Sequence, residues 1–111
     1  MRTWAKVTFE VEGLHFWKQA IDAVNFLGYL HRHMFLFVVW VEQKHDDREV
    51  EYVLLKRRLE ELYKSPVNFG GASCEMIASN LLKQLKGMFG DRKLKVEVYE
   101  DGENGCLVEE E

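Results

Sequence analysis

The sequence predicts an α+β domain in which strands and helices follow the order ββααββ. Two observations lead to this prediction: alternating apolar residues, typical of strands, occupy both ends of the chain, and apolar residues at helical spacing occupy its middle. Two consecutive helices between two pairs of strands indicate an antiparallel sheet with both helices on one face. With 111 residues and a single proline, the chain is long enough for one domain with one hydrophobic core.

The first two strands are predicted from patterns of unequal clarity. The first runs from Thr3 to Val11, where apolar and polar residues alternate. His15 has the parity of the apolar residues, so it shares their face if the chain stays extended past Gly13. Residues 16–29 fit either a helical excursion or an irregular loop. The second strand runs from His33 to Glu42 and is apolar on both faces, which indicates a strand that is covered on both sides.

Two helices are predicted in the middle of the chain. The first runs from Val53 to Tyr63, and a loop over residues 65–71 separates it from the second. Ser73 is the predicted N-cap of the second helix, Glu75 is a favourable acid in its first turn, and Gly90 ends it. The apolar stripes of the two helices are Leu55, Leu59 and Leu62 in the first, and Ile77, Leu81, Leu85 and Met88 in the second.

The last part of the chain is predicted to form a hairpin. A strand runs from Lys93 to Glu100, with its alternate apolar residues on one face. The segment DGENG over residues 101–105 is typical of a hairpin connection, and the chain returns through residues 106–108. The three glutamates that follow, residues 109–111, are predicted to form a solvated tail. The single domain therefore covers residues 1–108.

The composition argues against several classes of function. The net charge is −4 and the basic residues are interleaved with acidic ones, so we expect no surface for nucleic acid. No stretch approaches the roughly 18 apolar residues of a membrane helix, and the N-terminus lacks the apolar region of a signal peptide. Cys74 and Cys106 do not form a CxxC pair, so we expect reduced thiols and a cytoplasmic location.

Three of the four histidines are candidates for one metal site. His31 and His33 flank Arg32 just before the second apolar strand, and alternate side chains of an extended chain share a face about 6–7 Å apart. Two imidazoles at this spacing can bind one ion, and His15 is the candidate third ligand. Three neutral nitrogens with an open fourth position are typical of a zinc site that supports catalysis. The alternative is that these histidines are only structural.

Glu100 interrupts the apolar pattern of its strand. It has the parity of Val96 and Val98, so the apolar face of the strand ends in a carboxylate. Either the strand has finished and Glu100 faces water, or its carboxylate lies at the floor of a pocket. In a pocket it could accept two parallel N–H bonds from the amino-pyrimidine ring of a guanine or a pterin. Periodicity leaves both alternatives open.

Five segments in register carry a resemblance to a known family. FEVEGLH (9–15) resembles a first strand that ends in a zinc-binding histidine, and LHRH (30–33) resembles an LHGH motif that precedes a strand. VEYVLLK (50–56) is similar to the start of the family's first helix, and ASCE (72–75) to the PTxE that opens its second. VEVYE (96–100) resembles the strand whose terminal glutamate anchors a pterin. Over nearly its whole length, the chain thus resembles the 6-pyruvoyl-tetrahydropterin synthase and 6-carboxytetrahydropterin synthase family of the tunnelling fold.

The resemblance implies a function, a cofactor and an assembly. It implies a zinc ion on His15, His31 and His33, and a pterin ring held by Glu100. The implied activity is that of a zinc-dependent lyase on a dihydroneopterin triphosphate-like substrate. The implied assembly is a homo-oligomer, a trimer or hexamer, in which sheets from several subunits close a barrel with sites at subunit interfaces. The expected partner is a small pterin or purine-like molecule, with no nucleic acid and no membrane.

The residues that transfer protons in this family are not found at the matching positions. The family has a catalytic cysteine where this chain has Leu27, and an aspartate–histidine pair where it has Tyr63 and Lys64. A thiolate base needs a cysteine with a lowered pKa and a partner that orients the proton shuttle, and leucine supplies neither. Cys74 and Cys106 are weak substitutes that we expect to be packing residues. The general base therefore stays unassigned.

Three hypotheses about function follow. The first is the zinc-dependent lyase, and the retained histidines and Glu100 favour it. The second is a catalytically inactive binding or assembly protein that keeps the tunnelling fold and the metal and pterin site; the missing cysteine, aspartate and histidine favour this one. The third is another reaction of the wider tunnelling-fold group, such as that of a cyclohydrolase or an aldolase.

Overall fold

Five strands form one mixed sheet, and three helices connect them. The computed structural model describes residues 1–110 of the chain. Its elements in chain order are β1 (Thr3–His15), a 3₁₀ helix (Asp22–Gly28), β2 (His31–Gln43), α1 (Tyr52–Glu60), β3 (Val67–Gly70), α2 (Cys74–Phe89), β4 (Leu94–Glu100) and β5 (Asn104–Glu109). The strand order in the sheet is β3-β1-β2-β4-β5. The α+β class is therefore confirmed, with one strand more than the sequence predicts.

The long antiparallel pair of β1 and β2 organises the sheet. Every residue of β1 is paired, from Thr3 opposite Gln43 to His15 opposite His31. β1 is thus extended through Gly13, as the parity of His15 required. β2 pairs with β4 on its other side, and β4 forms the predicted hairpin with β5.

β3 corrects two predictions. Residues 65–71 were expected to be a loop and the sheet antiparallel, but β3 pairs with the end of β1 in parallel, with Gly13 opposite Val67. The sheet is therefore mixed. The strand directly follows a proline, ends in a glycine and is only four residues long, so it is too short to show an alternating pattern. The open edge of β1, rather than local propensity, makes it a strand.

The core lies between one face of the sheet and both α-helices. Alternate residues of β1, β2 and β4 meet the buried sides of α1 and α2 in one cluster. The largest fully buried side chains are Phe35, Phe37, Leu59, Leu81, Leu85 and Leu94. The predicted N-cap of α2 is confirmed because Ser73 Oγ accepts a hydrogen bond from Met76 N–H, and Gly90 ends this helix at a positive φ of 69°.

Several boundaries differ from the predicted ones. α1 ends at Glu60 instead of Tyr63, so Leu62 lies beyond the helix and is 42% exposed instead of buried. Residues 16–29 resolve into a loop and the 3₁₀ helix, which is kinked at Val24. On β2, only one face is fully covered: Phe35 and its alternates are buried, while Met34, Leu36 and Trp40 on the other face are half-buried.

The expected acidic tail is partly ordered. Glu109 is the last residue of β5, and the side chain of Glu110 lies 2.7 Å from Lys86 Nζ in an ion pair. Glu111 lies outside the described residues. Among residues 1–110, none of the helices combines the length and the apolar character that crossing a membrane requires.

Candidate metal centre

The register of the central strands brings the three candidate histidines together. His15 ends β1 directly opposite His31, which begins β2, and His33 lies two residues further along β2 on the same face. The ring centroids of His15, His31 and His33 are 4.6, 4.9 and 5.2 Å apart pairwise. The sequence prediction that these imidazoles meet is therefore confirmed.

Glu100 joins this cluster from the third strand. It ends β4 opposite Phe35, on the face that carries the histidines. Its Oε2 atom lies 3.0 Å from His15 Nε2 and 3.6 Å from His33 Nε2. The ligand atoms of His15, His31, His33 and Glu100 all lie within 4.8 Å of one another, so this group could hold a metal ion. Of the two alternatives for Glu100, the structure has the pocket and not the water-facing strand end.

Each histidine turns its Nδ1 atom to an oxygen. His15 Nδ1 lies 2.9 Å from the carbonyl oxygen of Ala72, and His31 Nδ1 lies 2.8 Å from that of Tyr29. His33 Nδ1 lies 2.7 Å from Asp101 Oδ2. Carbonyl and carboxylate oxygens only accept, so each Nδ1 carries the hydrogen and each neutral ring keeps its lone pair on Nε2.

Two of the three Nε2 atoms lack hydrogen-bond partners. Those of His15 and His33 are buried without a hydrogen bond, because the contacts with Glu100 do not have hydrogen-bond geometry. A lone pair on His15 Nε2 facing a carboxylate oxygen at 3.0 Å is repulsive unless a cation or a proton lies nearby. Three imidazoles and a carboxylate are also a donor set that suits zinc. The residues therefore fit a bound metal ion.

Two neighbouring residues shape the base of the cluster. A Cβ atom on Gly13 would lie 2.6 Å from Phe69 Cε2 and 2.9 Å from the ring of Phe35, so only glycine lets these rings close beneath the histidines. The ring of Phe35 contacts His15 edge-on, with centroids 5.1 Å apart. Arg32 lies on the opposite face of β2 from His31 and His33, and its Nε donates to Glu12 on β1.

A cavity of about 580 Å³ adjoins the cluster. We call the residues that the strands and their hairpin contribute the sheet lining: His15, His31, Glu100, Asn104 and Gly105. The remainder, which we call the loop lining, comes from the β1–β2 connection, the β3–α2 connection and the first turn of α2: Phe16, Trp17, Leu27, Gly71, Ala72, Ser73, Cys74, Glu75 and Met76. The size and the mixture of aromatic and carboxylate groups suit a small heterocyclic ligand.

Conventional proton-transfer groups are scarce on the loop lining. Leu27 lines the cavity where the resembling family has its cysteine. Burial, and next the charge of Glu100, raise the pKa of the Cys74 thiol to about 12, which keeps it protonated at neutral pH. Tyr63 packs against the rings of Phe9 and Phe37, and burial raises its pKa to about 12. Lys64 is exposed and does not line the cavity.

Two acidic residues near the cavity were not assigned a functional role from the sequence. Asp101 binds His33, and hydrogen bonds from Met34 N–H and from His33 lower the pKa of its carboxyl group. The signal available in the sequence was only its place next to Glu100 in a predicted turn. Glu75, interpreted as a helix-start acid, also lines the cavity. The separation of Glu75 and Glu100 in the sequence does not indicate that both side chains line the same cavity.

Comparisons with known proteins do not assign the chain to a family. A scan against protein-family models and a search of curated proteins both give no match.

Proposed function

We propose that this protein binds zinc and a pterin or purine-like heterocycle in one site, in the manner of the 6-pyruvoyl-tetrahydropterin synthases that its sequence resembles. One observation carries the proposal. Three imidazoles from two paired strands present Nε2 lone pairs to one point, and the Nδ1 atom of each ring is already engaged by an oxygen. This arrangement is typical of metal-ligating histidines.

In this proposal His15, His31 and His33 bind the zinc ion. Glu100 lies close enough to be its fourth ligand, and it can also release the ion and leave that position open. A zinc ion in such a site supplies Lewis-acid polarisation of a ligand oxygen. The chain itself contributes the fixed orientation of the imidazoles, supported by the edge-on contact of the Phe35 ring with His15.

The ring-binding part of the proposal depends on the carboxylates of the cavity. Glu100 is the predicted anchor for the amino-pyrimidine edge, and its side chain is one-third exposed toward the cavity. Glu75 is a second carboxylate on the same cavity, so it competes with Glu100 for this role. Phe16 and Trp17 offer aromatic surface against which a flat ring could pack.

Two activities remain candidates on this site. The resemblance favours a lyase that acts on a dihydroneopterin triphosphate-like substrate. The alternative is a catalytically inactive binding or assembly protein, and Leu27 together with the protonated Cys74 favours it. Incubation with dihydroneopterin triphosphate separates them: triphosphate release with zinc present supports the lyase, and binding without turnover supports the inactive protein.

A homo-oligomer, a trimer or hexamer, is part of the proposal. The sheet is open, with β3 and β5 as its two edges, and strand edges pair readily with further strands. Leu107 on β5 is 54% exposed, which suits an edge that a second copy covers. Light scattering coupled to size-exclusion chromatography measures the assembly, and a monomer at micromolar concentration would contradict this part.

The central experiment is metal analysis of untagged protein purified with zinc present. We expect about one zinc per chain, because the cluster offers one set of four donors. Wild-type protein that carries no zinc would refute the proposal, whereas a chain that loses its zinc only on chelation would support it.

A thermal-shift series tests the heterocycle. Pterins and guanine nucleotides should raise the melting temperature of the wild-type protein through preferential binding to the folded state. We expect Glu100→Gln to abolish this shift and Glu75→Gln to retain it. The reverse result would move the anchor to Glu75, and a shift that survives both changes would place the ligand elsewhere.

A further inference from the structure

His33 differs from the other two histidines in the group that binds its Nδ1. His15 and His31 use backbone carbonyl oxygens, which no side-chain substitution removes. His33 uses the carboxylate of Asp101, 2.7 Å away. The support of His33 is therefore the only one of the three that the sequence encodes in a side chain.

Asp101 is itself held in place by the backbone. Its Oδ1 accepts a hydrogen bond from Met34 N–H at 2.9 Å, and its own N–H donates to the carbonyl oxygen of Met34 at 2.9 Å. It occupies the first of two positive-φ positions in the β4–β5 turn, at 56°, followed by Gly102 at 70°. The carboxylate is thus fixed between the start of β2 and the turn, with one oxygen for each partner.

We propose that Asp101 is a positioning residue that keeps the hydrogen of His33 on Nδ1 and so presents the Nε2 lone pair of His33 to a metal ion. This inference rests on the proposed zinc site and adds a specific determinant of its affinity. A carboxylate that accepts from the ring of a ligating histidine fixes the tautomer and raises the basicity of the ligand nitrogen.

Asp101→Asn tests this role with almost no change in shape. Asparagine tolerates positive φ at least as well as aspartate, so the turn is expected to form. Its Oδ1 can still accept from Met34 N–H, which leaves Nδ2 facing His33 Nδ1. Two donors cannot share that contact, so the hydrogen of His33 must move to Nε2, the atom that would bind the metal.

Two measurements detect the effect of Asp101→Asn. In metal-free protein, long-range ¹H–¹⁵N correlation spectra should show the Nδ1–H tautomer of His33 in the wild type and the Nε2–H tautomer in Asp101→Asn. Competition titration with a zinc chelator should show about 10–100-fold weaker zinc binding in Asp101→Asn. Glu103→Gln is the matched control, because it removes one exposed negative charge from the same turn; we expect its zinc affinity to change less than about threefold.

The outcomes separate this inference from the proposed function. A His33 tautomer that stays on Nδ1 in Asp101→Asn overturns the inference, and so does an equal loss of affinity in Glu103→Gln, since net charge would then explain it. Wild-type affinity in Asp101→Asn overturns the inference but leaves the zinc site standing. If the wild type itself binds no zinc, the proposed function fails, and the tautomer measurement still decides whether Asp101 positions the ring.

Discussion

The sheet lining and the loop lining of the same cavity are built differently. The sheet lining carries polar groups in fixed positions, with the Nδ1 atoms of His15 and His31 bound to backbone oxygens and Glu100 beside them. The loop lining is mainly apolar, with Leu27 half-buried and Cys74 buried and protonated. The β-strands therefore fix the positions of the candidate ligand atoms, while the loop lining offers only the carboxylate of Glu75 and the protonated thiol of Cys74 for proton transfer.

This difference indicates which property of the site the fold itself determines. The relative positions of the three imidazoles depend on strand register, which the whole sheet enforces. Proton transfer would depend on single side chains such as that of Leu27, which lies in the β1–β2 connection, where substitutions cost the fold little. Cys74 differs, because it is buried at the start of α2. A site can thus have the donor atoms for a metal ion and an adjoining cavity without a proton-transfer group at a position such as Leu27.

The largest expected effect is on zinc content, which should depend on the sheet lining and not on the loop lining. His31→Ala removes one of three nitrogen ligands, so zinc content should fall from about one per chain to near none. Leu27→Ala changes only the loop lining and should leave zinc content unchanged. Atomic emission on both purified proteins gives the comparison, and equal zinc loss in both would show that the linings are not independent.

The next effect concerns the thiol of the loop lining. Because the pKa of Cys74 is raised from 9.0 to about 12, its thiolate fraction near pH 7 is about a thousandfold below that of an ordinary cysteine. Iodoacetamide should therefore alkylate Cys74 in the folded protein about a thousandfold more slowly than in urea, as mass spectrometry would measure. Rapid alkylation at pH 7 would return Cys74 to the candidates for a general base.

The same raised pKa sets a pH dependence of stability. As the pH rises above 9, the thiol ionises first in the unfolded chain, so the unfolded state binds fewer protons and the free energy of unfolding falls until about pH 12. Urea titrations of the wild type and of Cys74→Ala across this range should show a smaller slope in the variant.

Two glycine substitutions, one beneath the histidines and one on the loop lining, should affect stability to different extents. Alanine at Gly13 would force its Cβ within 2.6 Å of Phe69 and 2.9 Å of Phe35, and we expect a loss of about 1–3 kcal/mol. Alanine at Gly71, on the loop lining, would meet Phe16 at an ordinary 3.5 Å and should change stability by less than about 0.5 kcal/mol. Urea unfolding measures both. A tolerated Gly13→Ala would mean that the rings beneath the histidines can move.

The smallest effect tests the residue at the family's acid position. The hydroxyl of Tyr63 is buried without a hydrogen-bond partner, so its desolvation is not compensated. Tyr63→Phe should be neutral or stabilise the protein by up to about 1 kcal/mol, with zinc content unchanged. A clear destabilisation would indicate that the hydroxyl has a partner in solution.

The sequence predicted the parts of this molecule that depend on periodicity. The parity of His15 and the spacing of His31 and His33 located the cluster, because strands impose a strict period of two. The parity of Glu100 with Val96 and Val98 made it a candidate for a pocket carboxylate, but periodicity did not decide between that role and a water-facing strand end. These residues lie in long strands, where local pattern and tertiary structure agree.

The remaining features depend on contacts between distant segments. β3 exists because the edge of β1 is available. The hydrogen bond that Asp101 accepts from His33 joins residues that are 68 positions apart. Glu75 reaches the cavity only because α2 packs against β4 and β5. No local pattern encodes such contacts, so the parallel strand and the support of His33 could not be predicted from spacing.

The oxygen atoms that orient the three imidazoles come from separate parts of the chain. They belong to Tyr29 before β2, Ala72 before α2 and Asp101 in the β4–β5 turn. An ion that requires all three rings at once would therefore bind the native state and not the unfolded one. Its chemical potential would then act on the whole domain, and the melting temperature would rise with the concentration of free ion. In a cell, the lifetime of this protein would follow the supply of the metal.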